Sequence, residues 1–238
     1  MDYKYTGIIL NKRNVGEMDR IYTVYAAEAG KIKAIGKGVR KPNAKLAGSL
    51  EPITLAEIFV AKSRGMGKIT GAIVLENFLQ LKSNLEALNR VSQTFKIFER
   101  IISEQEQDKE IFEILIGFVR GLDKLSSEAG AENKMDLLLL GFTFKLLSAT
   151  GYRLEVEKCV NCEHKLQPEN NYFSAGKGGV LCRNCHQAEN KRIKISNEAI
   201  KLIRIFLKNK IANLVKLQVS QKDVNNLKVI AQEALNWL

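Results

Sequence analysis

The sequence holds three prolines, two histidines and one tryptophan in 238 residues, and its four cysteines all fall between Cys159 and Cys185. So few prolines exclude a proline-rich linker. No run of about 18 apolar residues occurs, which leaves no candidate for a membrane-spanning helix. The opening residues MDYKYTGIIL lack the basic region, apolar core and small-residue cleavage site of a secretory signal. The chain is therefore expected to stay in the reducing cytoplasm, where cysteines confined to one short segment argue against a disulfide framework. Enzyme signatures are missing too: there is no H-E-x-x-H, no G-x-S-x-G and no aspartate-rich metal cluster. Two Gly-Lys stretches, Arg64 to Gly71 and Ala175 to Gly179, do not make phosphate loops, because Ile69 and Gly178 follow the lysines where Ser or Thr is needed. They read as turns, and no catalytic residue is expected. The run Glu104 to Glu110, with four acids and one lysine, reads as a solvated loop or helix end.

Acid is also absent from one stretch in particular. Gly30 to Lys45, GKIKAIGKGVRKPNAK, carries six Lys or Arg and no Asp or Glu. Over the whole chain Lys and Arg number 37 against 26 Asp and Glu, a net charge of +11. Such self-repulsion is usually tolerated because a polyanion is the partner, so nucleic acid is the first expectation and an acidic membrane surface the second. In an extended strand Lys31, Lys33 and Lys37 share one side while Ile32 and Ala34 share the other. Arg40, Lys41 and Lys45 are expected to project from the loop that follows, with Lys12, Arg13 and Arg20 extending the patch. The competing reading is an edge strand guarded by lysines against aggregation. Tyr3, Tyr5, Tyr22 and Tyr25 lie in the same region, either stacking on bases or filling the strand core.

Hydrophobic periodicity divides the chain in two. Up to about residue 80, five short runs rich in Ile, Val, Tyr and Thr (Tyr3 to Leu10, Arg20 to Ala26, Lys31 to Ile35, Ile53 to Val60, Ile69 to Leu75) read as strands of a small barrel. An OB-fold is expected, with an SH3-like barrel as its nearest competitor. After Asn84 the period becomes 3.6. Leu85, Leu88, Val91, Phe95, Phe98 and Ile102 form one stripe of a helix with Asn84 as N-cap. Further helices are expected after Asp108, over Met135 to Thr150 with a stop at Gly151, after Ser196, and over the last residues to Leu238. The helix over Met135 to Thr150 is apolar all round and reads as central. The expected class is thus α+β multidomain: an N-terminal OB-fold domain over 1–80 and a helical domain over 81–238, with a zinc-binding insertion at about 156–188.

Cys159-x-x-Cys162 and Cys182-x-x-Cys185 supply four soft ligands from two tight turns, the set that tetrahedral zinc accepts. A zinc bound by four thiolates keeps no open position for water, so the role is structural. Asn171 to Ser174 and Val180 to Cys182 pair as a hairpin that brings the halves together. A redox pair would need a helix N-terminus after a strand, which nothing here resembles. His164 and His186 lie within two residues of a cysteine and are expected outside the ligand set. Lys158, Lys165 and Arg183 would offset the negative charge of the sulfurs.

These parts, in this order, resemble a known family. A tyrosine-rich first strand with GIIL, then GEMDRIYTVYAAEAGKIKAIGKGVRKPNAKLAGSLEPIT, then LLSATGYRLEVEKCVNCE and GGVLCRNC, are similar to the RecO family of bacterial DNA repair proteins along nearly the whole chain. Lys37-Gly38-Val39-Arg40-Lys41 combined with Gly151-Tyr152 ahead of Cys159 makes the likeness specific. The resemblance implies an OB-fold, a helical domain and a four-cysteine zinc element, although the cysteines are not universal in the family. It implies a non-catalytic recombination mediator that binds single- and double-stranded DNA and anneals complementary strands. It further implies work with RecR to help RecA onto strands coated by single-stranded DNA-binding protein, whose acidic C-terminal tail is a partner, and association with the nucleoid but no membrane. Positions matched for DNA contact are Lys37, Arg40 and Lys41. An RNA-binding or ribosome-associated zinc protein is the rival reading, and a zinc-dependent nuclease would require an open metal site.

Overall fold

The computed structural model describes residues 2–61, 65–104 and 107–238; Arg64 of the first Gly-Lys turn, and Gln105 and Glu106 of the acidic run, lie outside the described residues. The chain divides into two compact units, Met1–Val119 and Arg120–Leu238.

In the first unit, alternating apolar residues form five strands: β1 (Asp2–Val15), β2 (Asp19–Ala26), β3 (Gly30–Gly36), β4 (Leu55–Ala61) and β5 (Gly67–Glu76). They close into a barrel of order β1-β2-β3-β5-β4. β1 is longer than the sequence suggested because it serves two partners. Its first half pairs antiparallel with β4 and its second half with β2, with a bulge between Ile9 and Asn11 where the ladder changes hands. A short parallel contact, Ala34 with Gly67 and Ile35 with Lys68, closes the cylinder. This is the OB-like arrangement. Inward side chains include Ile9, Tyr22, Val24, Ile58, Val60 and Ile69, joined by Val39 and Leu50 from the segment between β3 and β4.

Packing against this barrel decides the fate of two tyrosines. Tyr22 and Tyr25 are fully buried, so the core reading prevails over base stacking for both. Tyr25 meets Phe98 edge-on at 4.9 Å and stacks on Phe112 at 6.4 Å. Phe98 belongs to α2 (Leu85–Ile101) and Phe112 to α3 (Lys109–Leu125), which follow a short α1 (Leu79–Ser83). Asn84 caps α2 by accepting the Ala87 amide at 3.0 Å, and Asp108 caps α3 by accepting the Ile111 amide at 3.0 Å. Leu85, expected on the inward stripe, is exposed; Ala87 occupies that side instead.

The second unit is built on α4 (Glu132–Ala149), buried on almost every side as its continuous hydrophobicity requires. It begins earlier than expected and ends at Gly151, whose φ of +88° lets the chain leave the helix. Around it pack α5 (Asn197–Lys208), a 3-10 segment Ile211–Lys216 and α6 (Gln221–Asn236). Ser196 caps α5 through the Ala199 amide at 3.0 Å. The expected hairpin is β6 (Asn171–Ser174) with β7 (Gly179–Leu181), and a third strand β8 (Ile193–Ile195) adds to the other edge of β6. Three residues cannot display a period, so β8 was not legible beforehand. No helix among the described residues is long and apolar enough to cross a membrane.

Candidate nucleic-acid interface and metal centre

The basic stretch leaves β3 at Gly36 and runs as turns to the 3-10 segment Gly48–Leu50. One apolar side chain anchors it. Val39 is buried in the barrel core, and a Cβ on Gly36 would come within 2.8 Å of it and 2.9 Å of the Tyr22 ring, so only glycine admits this approach. Asp19 anchors the loop a second time: one carboxylate oxygen accepts the Gly38 amide at 2.8 Å and the other the Lys37 ammonium at 2.7 Å. These two bonds hold the Asp19 carboxyl below its usual range. The Arg40 amide reaches Met18 O at 3.0 Å and its guanidinium Gly16 O at 3.2 Å.

The structure separates the candidate cations. Lys37, Arg40, Lys41 and Lys45 stand exposed on this loop, and Arg13 is exposed nearby in sequence on β1. Arg20 is bound to Asn14 and lies 3.9 Å from Glu51, which also pairs with Lys12. Lys33 is exposed and paired with Glu104. Lys31 departs from the expected basic face: it is only 9% exposed, and its ammonium donates to the Glu99 carbonyl at 2.8 Å and to the Ile102 carbonyl. Those carbonyls are the orphan acceptors at the C-terminus of α2, where a cation is favoured by both hydrogen bonding and the helix dipole. Lys31 therefore joins helix to barrel. The six cations are uncompensated only within their own stretch, since Asp19 and Glu104 arrive from elsewhere in the chain.

The other two tyrosines of the barrel are half-buried. Tyr3 and Tyr5 point to the same side of β1 and stack at 6.1 Å with planes 5° apart. With Ile32, Lys33, Met66 and Gly67 they line a groove of about 550 Å³. The period-2 spacing of Tyr3 and Tyr5 was a legible signal for a shared face. Nothing local announced Asp19, whose partners lie 18 and 19 residues away.

Each C-x-x-C pair sits in a tight turn. In the first, Cys159 N–H donates to His164 O and Glu163 N–H to Cys159 O, both at 2.9 Å, with Glu163 at φ +61°. In the second, the amides of Cys185 and His186 share Cys182 O at 3.1 and 3.2 Å. Val160 N–H to Val180 O at 3.0 Å and Cys182 N–H to Cys159 Sγ at 3.4 Å join the two. All four sulfurs lie within 4.8 Å of one another, and Cys162 and Cys182 are 3.9 Å apart. That separation suits a tetrahedral zinc, whose sulfurs stand about 3.8 Å apart for a bond of about 2.3 Å. A disulfide would need about 2.05 Å. Burial pushes the Cys159 thiol up, but the amides of Cys182, Cys162 and Asn161 outweigh it and hold it at about 6. At Cys185 an Asn161 hydrogen bond favours the thiolate, yet burial and the three neighbouring sulfurs push it up to about 12. Four sulfurs this close resist ionising together unless a cation sits among them, so the set can hold a metal ion.

The histidines stand outside this set. His164 Nδ1 lies 2.9 Å from Cys162 O, and His186 stacks on Tyr172 at 4.0 Å. Arg183 pairs with Glu169 at 3.1 Å.

The first unit is an OB-like barrel with an anchored basic loop, and the helical region that follows it embeds four cysteines able to hold a metal ion. Family models described as recombination protein O N terminal and C terminal match residues 1–78 and 83–238. The chain belongs to the RecO family of DNA repair proteins. It is 29% identical over 237 residues to DNA repair protein RecO of Dehalococcoides mccartyi strain 195, covering 100% of this chain and 90% of that one. The namesake of Acetivibrio thermocellus is 28% identical over 98% of this chain and 90% of its own, and that of Roseiflexus sp. strain RS-1 is 31% identical over 85% and 69%.

Proposed function

We propose that this chain is a non-catalytic, cytoplasmic recombination mediator. It binds single- and double-stranded DNA, anneals complementary strands and works with RecR to help RecA onto strands coated by single-stranded DNA-binding protein. The observation that carries the reading is the loop of Lys37, Arg40, Lys41 and Lys45, exposed yet pinned to the barrel by Val39 and Asp19. Cations held in this way meet phosphates at little cost in ordering, and counterion release drives binding without reading bases. The Tyr3–Tyr5 groove, where Lys33 is paired with Glu104, extends the surface and offers a stacking face that tolerates any base. Arg13 and Arg20 flank it, whereas Lys31 acts through the position of α2.

Annealing follows from the same physics. Two bare strands repel, and a surface that neutralises both backbones lowers the barrier to encounter while leaving pairing to choose the partner. No bond is made or broken, in keeping with a centre of four thiolates that would hold zinc without an open position. The working division is a DNA-binding head over 1–80 and a helical body over 81–238, in which one structural zinc on Cys159, Cys162, Cys182 and Cys185 orders residues 156–188. The partners RecR, RecA and the acidic C-terminal tail of single-stranded DNA-binding protein rest on family membership.

A strand-annealing assay with complementary oligonucleotides tests the reading. The full chain accelerates pairing at low salt, and K37A/R40A/K41A removes most of the acceleration. Equal annealing by the triple variant, or preference for RNA over DNA of the same sequence, overturns it.

A further inference from the structure

The helical unit is more basic than the barrel unit: residues 120–238 hold 19 Lys or Arg against 12 Asp or Glu. At one end of it three segments enclose a cleft of about 320 Å³: the exit of α4, the β6–β7 turn and the end of α6. Tyr152 and Trp237 line it, and they are 53% and 63% exposed, unusual for such large rings. Both are placed by backbone geometry. Tyr152 N–H closes the end of α4 on Leu147 O at 2.8 Å, and the Trp237 indole lies over Gly176, where a Cβ would stand 3.2 Å from the ring. Leu147 and Leu154 add apolar lining, and Arg153 and Lys177 are the cations. No acidic side chain lines the cleft, and neither cation forms an ion pair among the described residues.

We infer that this cleft is a second single-strand subsite, taking one or two nucleotides with bases against Tyr152 and Trp237 and phosphates toward Arg153 and Lys177. Exposed rings beside cations that no acidic side chain offsets are the combination that binds single strands without regard to sequence. The subsite goes beyond the barrel loop and does not depend on it. It gives the chain a separate place for a strand on each unit, so one molecule can carry both strands of an annealing pair.

Trp237 is the only tryptophan, so its fluorescence reports on this end of the unit; it also lines a neighbouring groove with Lys191, Arg192 and Glu233, and a crosslink to Tyr152 assigns the signal to the cleft. The probe is an oligothymidylate titrated into the full chain, with a 5-bromodeoxyuridine version for photocrosslinking. Saturable quenching is expected, with crosslinks to peptides containing Tyr152 or Trp237. R153A/K177A should lower the salt dependence by about 1.4 log units per log unit of salt, and Tyr152→Ala should weaken quenching affinity about fivefold or more. K37A/R40A/K41A retains the quenching, which separates failure of the barrel loop from failure of the cleft. Unchanged circular dichroism of each variant keeps the comparison valid. The inference is overturned if an oligonucleotide that binds by anisotropy leaves Trp237 unquenched and uncrosslinked. It is equally overturned if an acidic decapeptide containing Phe quenches Trp237 and the oligonucleotide does not.

Discussion

Asp19 holds Lys37 at 2.7 Å while its second oxygen takes the Gly38 amide at 2.8 Å, so one carboxylate both orders the basic loop and offsets one of its charges. Its carboxyl is held below the usual carboxylate range, first by the Lys37 hydrogen bond and then by the Gly38 amide. A depressed carboxyl contributes order that is fully present above its unfolded value and is lost as pH falls through the folded one. The Gly38 amide is therefore expected to stay protected from hydrogen exchange from pH 7 down to about 4 and to open below that. Asp19→Asn frees Lys37 and should steepen the salt dependence of single-strand affinity by about 0.7 log units per log unit of salt.

Lys31 and the loop cations should respond in opposite ways. Lys31→Ala leaves the Glu99 and Ile102 carbonyls without their donor and should cost about 1–3 kcal/mol in urea unfolding, with the salt slope unchanged. K37A/R40A/K41A should keep stability within about 1 kcal/mol and flatten the slope by about 1.4, the share of Arg40 and Lys41, since Asp19 already offsets Lys37. A destabilised triple variant with an intact slope would reverse these assignments.

Gly36→Ala tests the anchoring of the loop. The added methyl meets Val39 at 2.8 Å and Tyr22 at 2.9 Å, so stability should fall by about 1–3 kcal/mol, as overpacked cores do. DNA affinity should fall with it although no cation is removed. Val39→Ala should give the same loss of affinity by leaving the loop unseated.

Metal content is the fourth test. Mass spectrometry should find one zinc per chain, and Cys162→Ser should lower it. Structural zinc contributes on the order of 10 kcal/mol in peptides, so chelation should abolish protection of amides across 156–188. Melting unaffected by chelation would make the centre peripheral.

How much of this was legible varies by element. Asn84 and Ser196 were readable as caps because a cap is a contact with a residue three positions on. The cysteine spacing likewise encodes two local turns. α1 and β8 were not legible, being too short to carry a period. Leu85 was misplaced because a helical stripe read from spacing has no fixed edge; Ala87 fills the inward position.

From its sequence alone the chain determined a β head, a helical body, a four-thiolate set and an excess of basic charge, because periodicity, capping and spacing act over a few residues. Only tertiary structure decided which cations face solvent. Lys37 meets a carboxylate 18 residues away, Lys33 one 71 residues away, and Lys31 spends its charge on the end of a helix. Charge is a property of composition, but its availability is set by whichever opposite charge or carbonyl the fold brings within a few ångströms.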